Sequence, residues 1–408
     1  MEKTATEKLL WISSFKNNKE VSFTLEMVNK TMFHNPKVVQ SVFGNIDDNL
    51  KTFFDKSINV KDEKESELIS HLNAFKPTKI IVVTDVHSSY FEKLSNDSFY
   101  KLYSYLFLSY PYIKEEKILP ILEKCHHTFV SSDYMKTHLM KKFDNKYSIH
   151  TLYYGLRKYD NYDKKYAREI LENYNFLMND AFVVLNNCSN LKKHRMDITI
   201  KAFVEVIKNN PQTNLSLFFF CEPDSKEGWN ILELAETEFK QKDLTNHENY
   251  IKFINPANNF IYDMVCFSVD LALDTSDGVD FPLETISLAQ KGVPQIVGNF
   301  NAYPEFFNES FSSLVNHNDE IIHPNHGGHE GGEGYLMDYK QIVEKIQKYI
   351  NSPELLKEHS EKTRNHFENG VYSWLNIYKK FNSLVFRKET EKKVSSLVNE
   401  NIMVRSLS

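Results

Sequence analysis

The sequence predicts an α/β protein built from two doubly wound parallel sheets that face a cleft, and three observations lead there. Short apolar runs recur along the chain and end in small or polar residues, as Leu9-Leu10-Trp11-Ile12 does before Ser13-Ser14. Stretches with the 3.6-residue period of helices separate them, so strands and helices alternate and the strands run parallel. At 408 residues the chain exceeds what one hydrophobic core organises, and the series of runs restarts midway.

Taken in order, the first series opens with the run at Leu9 to Ile12, which lacks alternation because a parallel strand is buried on both faces. Further strands are expected at Lys79 to Val83 before Thr84-Asp85, Leu106 to Leu108, Thr128 to Val130 before Ser131-Ser132, and Ile149 to Tyr153 before Gly155. Helices are expected at Glu63 to Phe75 and Met135 to Phe143. The second series places strands at Ala181 to Leu185, Leu215 to Phe220, Ile251 to Ile254, Leu271 to Leu273 and Gln295 to Val297. Its helices fall at Asp197 to Lys208, Trp229 to Lys242, Phe260 to Cys266 and Leu283 to Lys291. The Tyr- and Lys-rich stretch from Tyr153 to Asp163 separates the two series. The expected domains are 1–155 on the N-terminal side, 156–375 on the C-terminal side, and a helical tail over 376–408 whose end is charged.

Composition narrows the function classes. A net charge of −6 provides no overall field for a polyanion, so nucleic acid is not an expected partner. Four cysteines, Cys125, Cys188, Cys221 and Cys266, form no CxxC pair, which fits a reducing compartment and argues against cysteine-held zinc. Met1 to Leu10 carries charges of both signs and no apolar h-region, and no window nears the roughly 20 apolar residues that span a bilayer. A cytoplasmic location is expected, with peripheral membrane contact left open.

In open α/β sheets ligands sit beyond the carboxyl ends of the strands, which singles out the residues just after the apolar runs. Lys192-Lys193-His194-Arg195 follows one run and begins a helix, where fixed cations could neutralise an anion or form a solvated basic loop. Thr275-Ser276-Asp277-Gly278 follows another; small side chains and backbone N–H groups there suit phosphate or sugar hydroxyls, though turn chemistry alone also selects such residues. His87 follows the run at Ile80 to Val83, and His126-His127 is a weaker candidate, more in keeping with a packed helix end. His323, His326, His329, Glu330 and Glu333 lie among glycines in a spacing that matches no defined zinc pattern, so a lid is expected there and not a metal site.

The stretch Tyr262-Asp263-Met264, Val269 to Leu273, Thr275 to Gly278, Phe281-Pro282-Leu283 and Gly292 to Val297 resembles the donor-site region of family-4 (group 1) glycosyltransferases in order, spacing and strand–loop–helix context. The strand ending at Asn187, with the basic cluster and Asp197, is similar to that family's earlier diphosphate-binding segment. Together with Gly331-Gly332-Glu333, Asp338-Tyr339 and the helix through Asn351 to Leu355, the likeness covers residues 181 to 370. It implies the GT-B architecture and a glycosyltransferase that moves a sugar from a nucleotide-diphosphate sugar, UDP- or GDP-linked, to a glycan, lipid or protein acceptor with retention. No metal is required in that reading, because basic residues neutralise the leaving diphosphate.

The resemblance also implies roles. Lys193 and Arg195, then Lys192, would hold the diphosphate; Asn187, Thr275, Ser276, Asp277 and Gly278 would line the donor site. His87 would face the sugar from the opposite domain. The family's two glutamates, eight positions apart, fall here on Val279 and Ser287, so Asp280 and Glu284 are the carboxylates expected to serve as catalytic groups, with Ser287 at the ribose position. Cys188 stands where the family often has an arginine, and Ser13-Ser14-Phe15 lacks its glycine pair. Those departures keep a second reading open: a catalytically degenerate protein acting as a partner subunit or nucleotide-sugar or glycan binder. A third class, an epimerase or a periplasmic-type binding protein, lacks a Gly-rich dinucleotide fingerprint and an export signal, respectively.

Overall fold

A computed structural model of the chain describes residues 7–15, 18–46, 48–54, 56–62, 64–86, 89–94, 99–173, 180–254, 259–322 and 332–386. The first sheet contains β1 (Lys8–Ser13), β2 (Val39–Gly44), β3 (Asn59–Asp62), β4 (Lys79–Thr84), β5 (Lys101–Leu106), β6 (His127–Val130) and β7 (Ile149–Thr151). All are parallel, in the order 3-2-1-4-5-6-7. The second sheet contains β8 (Phe182–Asn186), β9 (Leu215–Phe219), β10 (Ile251–Phe253), β11 (Leu271–Leu273), β12 (Gln295–Gly298) and β13 (Ser313–Val315), parallel in the order 10-9-8-11-12-13. A small antiparallel ribbon, β14 (His317–Ile322) with β15 (Gly334–Met337), follows.

The order of each sheet reverses direction beside its first strand, which creates the crevice that doubly wound sheets use for ligands. The runs read as strands are deeply buried: Leu9, Leu10, Trp11 and Ile12 are inaccessible to solvent, as are Ile80 to Val83. One strand lies elsewhere than its apolar letters indicated. The run Leu106 to Leu108 is the end of β5 and the loop after it, because Tyr103, Ser104 and Tyr105, polar in composition, are buried in register with Ile81, Val82 and Val83. β2, β3 and β13 also form from stretches whose polar residues hid them, such as Gln40 and Ser41 in β2.

The helices of the second half fall where their period put them, at Met196–Asn209, Ile231–Gln241, Asn259–Ser268 and Leu283–Gln290. In the first half, Glu65–Glu67 is a 3₁₀ turn before Leu68–Phe75, and Asp133–Lys142 starts at Ser132, whose hydroxyl accepts from the Met135 N–H at 3.1 Å. The long helix Asn18–His34 follows β1.

The last described helix, Trp374–Val385, leaves the second sheet. It returns to the first, where Phe381 stacks on Trp11 with ring centroids 5.6 Å apart. Asn35 donates to Tyr378 and Asn382 from the end of the long helix, at 2.7 and 2.6 Å. Among the described residues no helix is long and apolar enough to cross a membrane.

Candidate active site

The carboxyl ends of the two sheets meet. From the first sheet come the loop after β5 (Phe107 to Pro111), Ser131 after β6 and the first turn of Asn18–His34; from the second come the turn after β8 and the loop after β11.

The turn after β8 sends its cations in different directions. Lys192–His194 is a 3₁₀ turn, and three residues per turn point successive side chains about 120° apart. Lys192 Nζ lies 3.8 Å from the centroid of the Trp229 ring. Lys193 reaches across the cleft to Ser109 Oγ at 3.4 Å. His194 Nδ1 pairs with Ser276 Oγ at 2.6 Å. Arg195 takes a left-handed conformation at φ 45° to start the next helix, and its guanidinium grips Asp197 through two nitrogens and lies 5.7 Å from the same tryptophan ring. Of the three expected diphosphate cations, Lys193 bonds to the opposite domain, Lys192 lies over Trp229, and Arg195 is paired with Asp197 while its charge also acts on Asp277.

The loop after β11 is organised by Asp274, a carboxylate 7% exposed. Its Oδ1 accepts from the backbone N–H and hydroxyl of Ser276 at 3.1 and 2.5 Å and from the Cys188 thiol at 3.5 Å; its Oδ2 accepts from Thr285 at 2.6 Å. Burial alone would raise the pKa, but His194 and the hydroxyl donors outweigh it and hold Asp274 below the usual carboxylate value. Burial and Asp274 push the Cys188 thiol well up, so it stays a neutral donor. Thr275 is fully buried and its hydroxyl donates to the carbonyls of His194 and Arg195 at 2.9 and 3.1 Å, which ties the two loops together. Thr275 and Ser276 thus have their hydroxyls engaged within the loops.

The next carboxylates cross to the other domain. Tyr110 donates to Asp277 Oδ1 at 2.8 Å, while Asp277 Oδ2 is buried and finds no hydrogen-bond partner among the described residues. Burial pushes Asp277 up to about 7, against the pull of Tyr110, Arg195 and Lys193. The Tyr110 ring also occupies the space beside Gly278, where an added Cβ would stand 2.2 Å from it. Gly278 therefore permits a close approach, and what approaches is an aromatic ring. Asp280 is buried and accepts from the Leu108 N–H at 3.1 Å and the Ser131 hydroxyl at 2.5 Å; burial raises it, while Lys19 opposes the rise. Gly332, at φ 109°, and Glu333, whose N–H donates to Pro111 O at 3.2 Å, cover the same tyrosine loop.

Glu284 is half exposed at the start of Leu283–Gln290, where Lys19 Nζ approaches its carboxylate at 3.7 Å and the Phe281 carbonyl at 3.5 Å. Asn187 donates to the Glu284 carbonyl at 3.4 Å and to Tyr262 Oη at 3.2 Å. Ser287 turns back to bond the Leu283 carbonyl at 2.7 Å and borders a cavity of about 700 Å³ walled by Tyr159, Tyr162, Phe260 and Tyr262. His87 lies outside the described residues, as do His323, His326, His329, Glu330 and Gly331. His127 is buried at the start of β6, bonded to Ser148 at 2.7 Å, in keeping with a packed residue.

The structure therefore brings Lys193, Asp277, Asp280 and Glu284 to one cleft and adds residues that sequence reasoning passed over: Lys19, Ser109, Tyr110 and Asp274. Asp274 was within reach of the strand-end rule, since it directly follows Leu273. Lys19 left a fainter signal, a cation in the first turn of a 17-residue helix, where the helix dipole disfavours it unless an anion is near. Cys188, His194 and Asp274 carry the donor types of a divalent site, with ligand atoms within 4.8 Å of one another. In this structure the Cys188 thiol donates to Asp274, and His194 pairs with Ser276.

No family model matches the chain, and none of the curated proteins matches it. Solved structures do. A glycosyltransferase from Rickettsia africae is 13% identical with a TM-score of 0.70, over 93% of this chain and 98% of its own. Sucrose-phosphate synthase from Thermosynechococcus elongatus is 12% identical with a TM-score of 0.69, over 93% and 98% of the two chains. HepE of Anabaena, solved in complex with UDP and glucose, is 10% identical with a TM-score of 0.64, over 93% and 99%. The two facing sheets and these likenesses over nearly full lengths define the class: this chain has the two-domain GT-B fold of glycosyltransferases.

Proposed function

We propose that the protein is a glycosyltransferase that takes a hexosyl or related sugar from a nucleotide-diphosphate sugar and passes it to a glycan, lipid or protein acceptor. The observation that carries this reading is Lys193, an ammonium at the carboxyl end of β8 that faces the other domain across a cleft lined by Asp277, Asp280 and Glu284. A departing diphosphate accumulates negative charge, and a fixed cation in a desolvated cleft stabilises it more than water does. Lys193 would hold the phosphates, and the nucleoside would run past Asn187 towards Tyr262 and Ser287. Half-exposed Glu284 is the carboxylate accessible to a sugar or ribose, whereas buried Asp280 would fix the cleft walls. Retention of configuration and a place in glycan biosynthesis belong to this proposal, as does activity without a metal.

The test is release or transfer of sugar from UDP-, GDP- and ADP-sugars, followed by mass spectrometry with and without a chelator. Turnover with one donor, unchanged by chelation and reduced at least tenfold in Lys193→Gln, is expected, since loss of one charge-assisted bond costs about 1.5–3 kcal/mol. Absence of turnover across the panel would remove the enzymatic part of the proposal.

A further inference from the structure

We propose that the diphosphate is held by a two-domain clamp in which Lys19 of the N-terminal domain is the second cation opposite Lys193, with Glu284 occupying the anion's place when no donor is bound. The inference rests on the donor-binding reading above. Of the cations in the turn after β8, Lys193 reaches the opposite domain and Lys192 lies over Trp229, while Arg195, whose charge also acts on Asp277, is paired with Asp197. A diphosphate carries more than one negative charge, so a cation across the cleft from Lys193 would strengthen its hold.

Lys19 projects from the first turn of Asn18–His34 to within 3.7 Å of Glu284 Oε2 and 3.5 Å of the Phe281 carbonyl. Those two acceptors flank the start of the helix Leu283–Gln290. The two ammonium groups are near enough to repel. Burial and Lys19 together lower Lys193, whereas Glu284, Asp280 and Asp274 overcome the effect of burial on Lys19 and keep it charged. Two like charges held close, with one half-exposed carboxylate between the domains, form a site that an entering anion completes. A phosphoryl oxygen replacing the Glu284 carboxylate would relieve the repulsion and bind both domains at once. Donor binding would then draw the domains together, and Glu284 would be released to meet a sugar or ribose hydroxyl.

The test is calorimetric titration of the full chain with inorganic pyrophosphate and with UDP. Lys19→Gln and Lys193→Gln should each weaken both probes by roughly ten- to a hundredfold, the effect of losing one charge-assisted contact. Lys192→Gln should stay within about threefold of wild type, and Lys19→Arg should retain most of the affinity. Glu284→Gln should bind pyrophosphate more tightly, because the resident competitor is gone. That increase is an effect that a merely structural Lys19–Glu284 pair would not produce, and it can be read even if Lys19→Gln fails to fold. If Lys19→Gln binds like wild type while Lys193→Gln does not, or if Glu284→Gln binds no tighter, the clamp is overturned and the donor-binding reading stands. If wild type binds neither probe, both are overturned.

Discussion

Asp277 shows what the cleft demands of one residue. Its carboxylate is 1% exposed, one oxygen satisfied by Tyr110 and the other by nothing among the described residues. An unpaired buried oxygen is costly when charged, which is why burial moves the group from 3.8 to about 7. An acid with its folded value raised binds more protons folded than unfolded, so stability falls as pH rises from about 4 to about 7 and is level above that. Asp277→Asn removes the titration while keeping an acceptor for Tyr110. Its melting temperature relative to wild type is therefore expected to climb between about pH 4 and pH 7 and then plateau; a difference flat across that range would mean that Asp277 ionises normally. At this scale the sequence was legible by residue type and not by partner. Thr275 to Gly278 sits where the strand-end rule put it, yet nothing in those four letters reveals that Tyr110, more than 160 positions earlier in the chain, fills the space beside Gly278.

The elements explain which cations matter. Three adjacent basic letters look equivalent in sequence, and a 3₁₀ turn makes them unequal by pointing each along its own direction. Trp229, which receives Lys192 and lies near Arg195, belongs to a loop after β9 with no apparent link to the basic cluster in sequence. Most strands were visible because parallel strands buried on both faces read as continuous apolar runs. β5 was displaced in that reading because buried tyrosines and Ser104, whose hydroxyl donates to Thr128 at 2.9 Å, look like surface residues when counted as letters. The last described helix was legible as a helix but not as a return to the first sheet. Its Phe381 is 1% exposed against Trp11 and Phe129, so Phe381→Ala is expected to destabilise the protein by about 3–5 kcal/mol, measured by denaturant unfolding. A loss below about 1 kcal/mol would mean that the helix is not anchored there.

At the scale of the molecule, the two domains are joined at the cleft mainly by acceptors of the C-terminal domain and donors of the N-terminal one. Asp277 takes Tyr110, Asp280 takes Leu108 and Ser131, and Glu305 takes the backbone N–H groups of Asp133 and Tyr134 at 2.9 and 2.8 Å, where the helix Asp133–Lys142 begins. A carboxylate at a helix start is favoured by the helix dipole, so Glu305 adds a directional contact between the domains. These contacts join the cleft walls, and Lys19 and Lys193 face its carboxylates from the two domains. Fold and cleft location follow from strand periodicity and strand ends. The pairing across the cleft could not be read, because it joins residues that neither period nor spacing relates. The most direct measurement is a titration of the wild-type protein and Lys193→Gln with UDP and GDP, reading stoichiometry and affinity. One nucleoside diphosphate bound per wild-type chain, weakened at least tenfold by Lys193→Gln, is the expected result. Binding that is absent in wild type, or unaffected by the loss of Lys193, would contradict a donor site in this cleft.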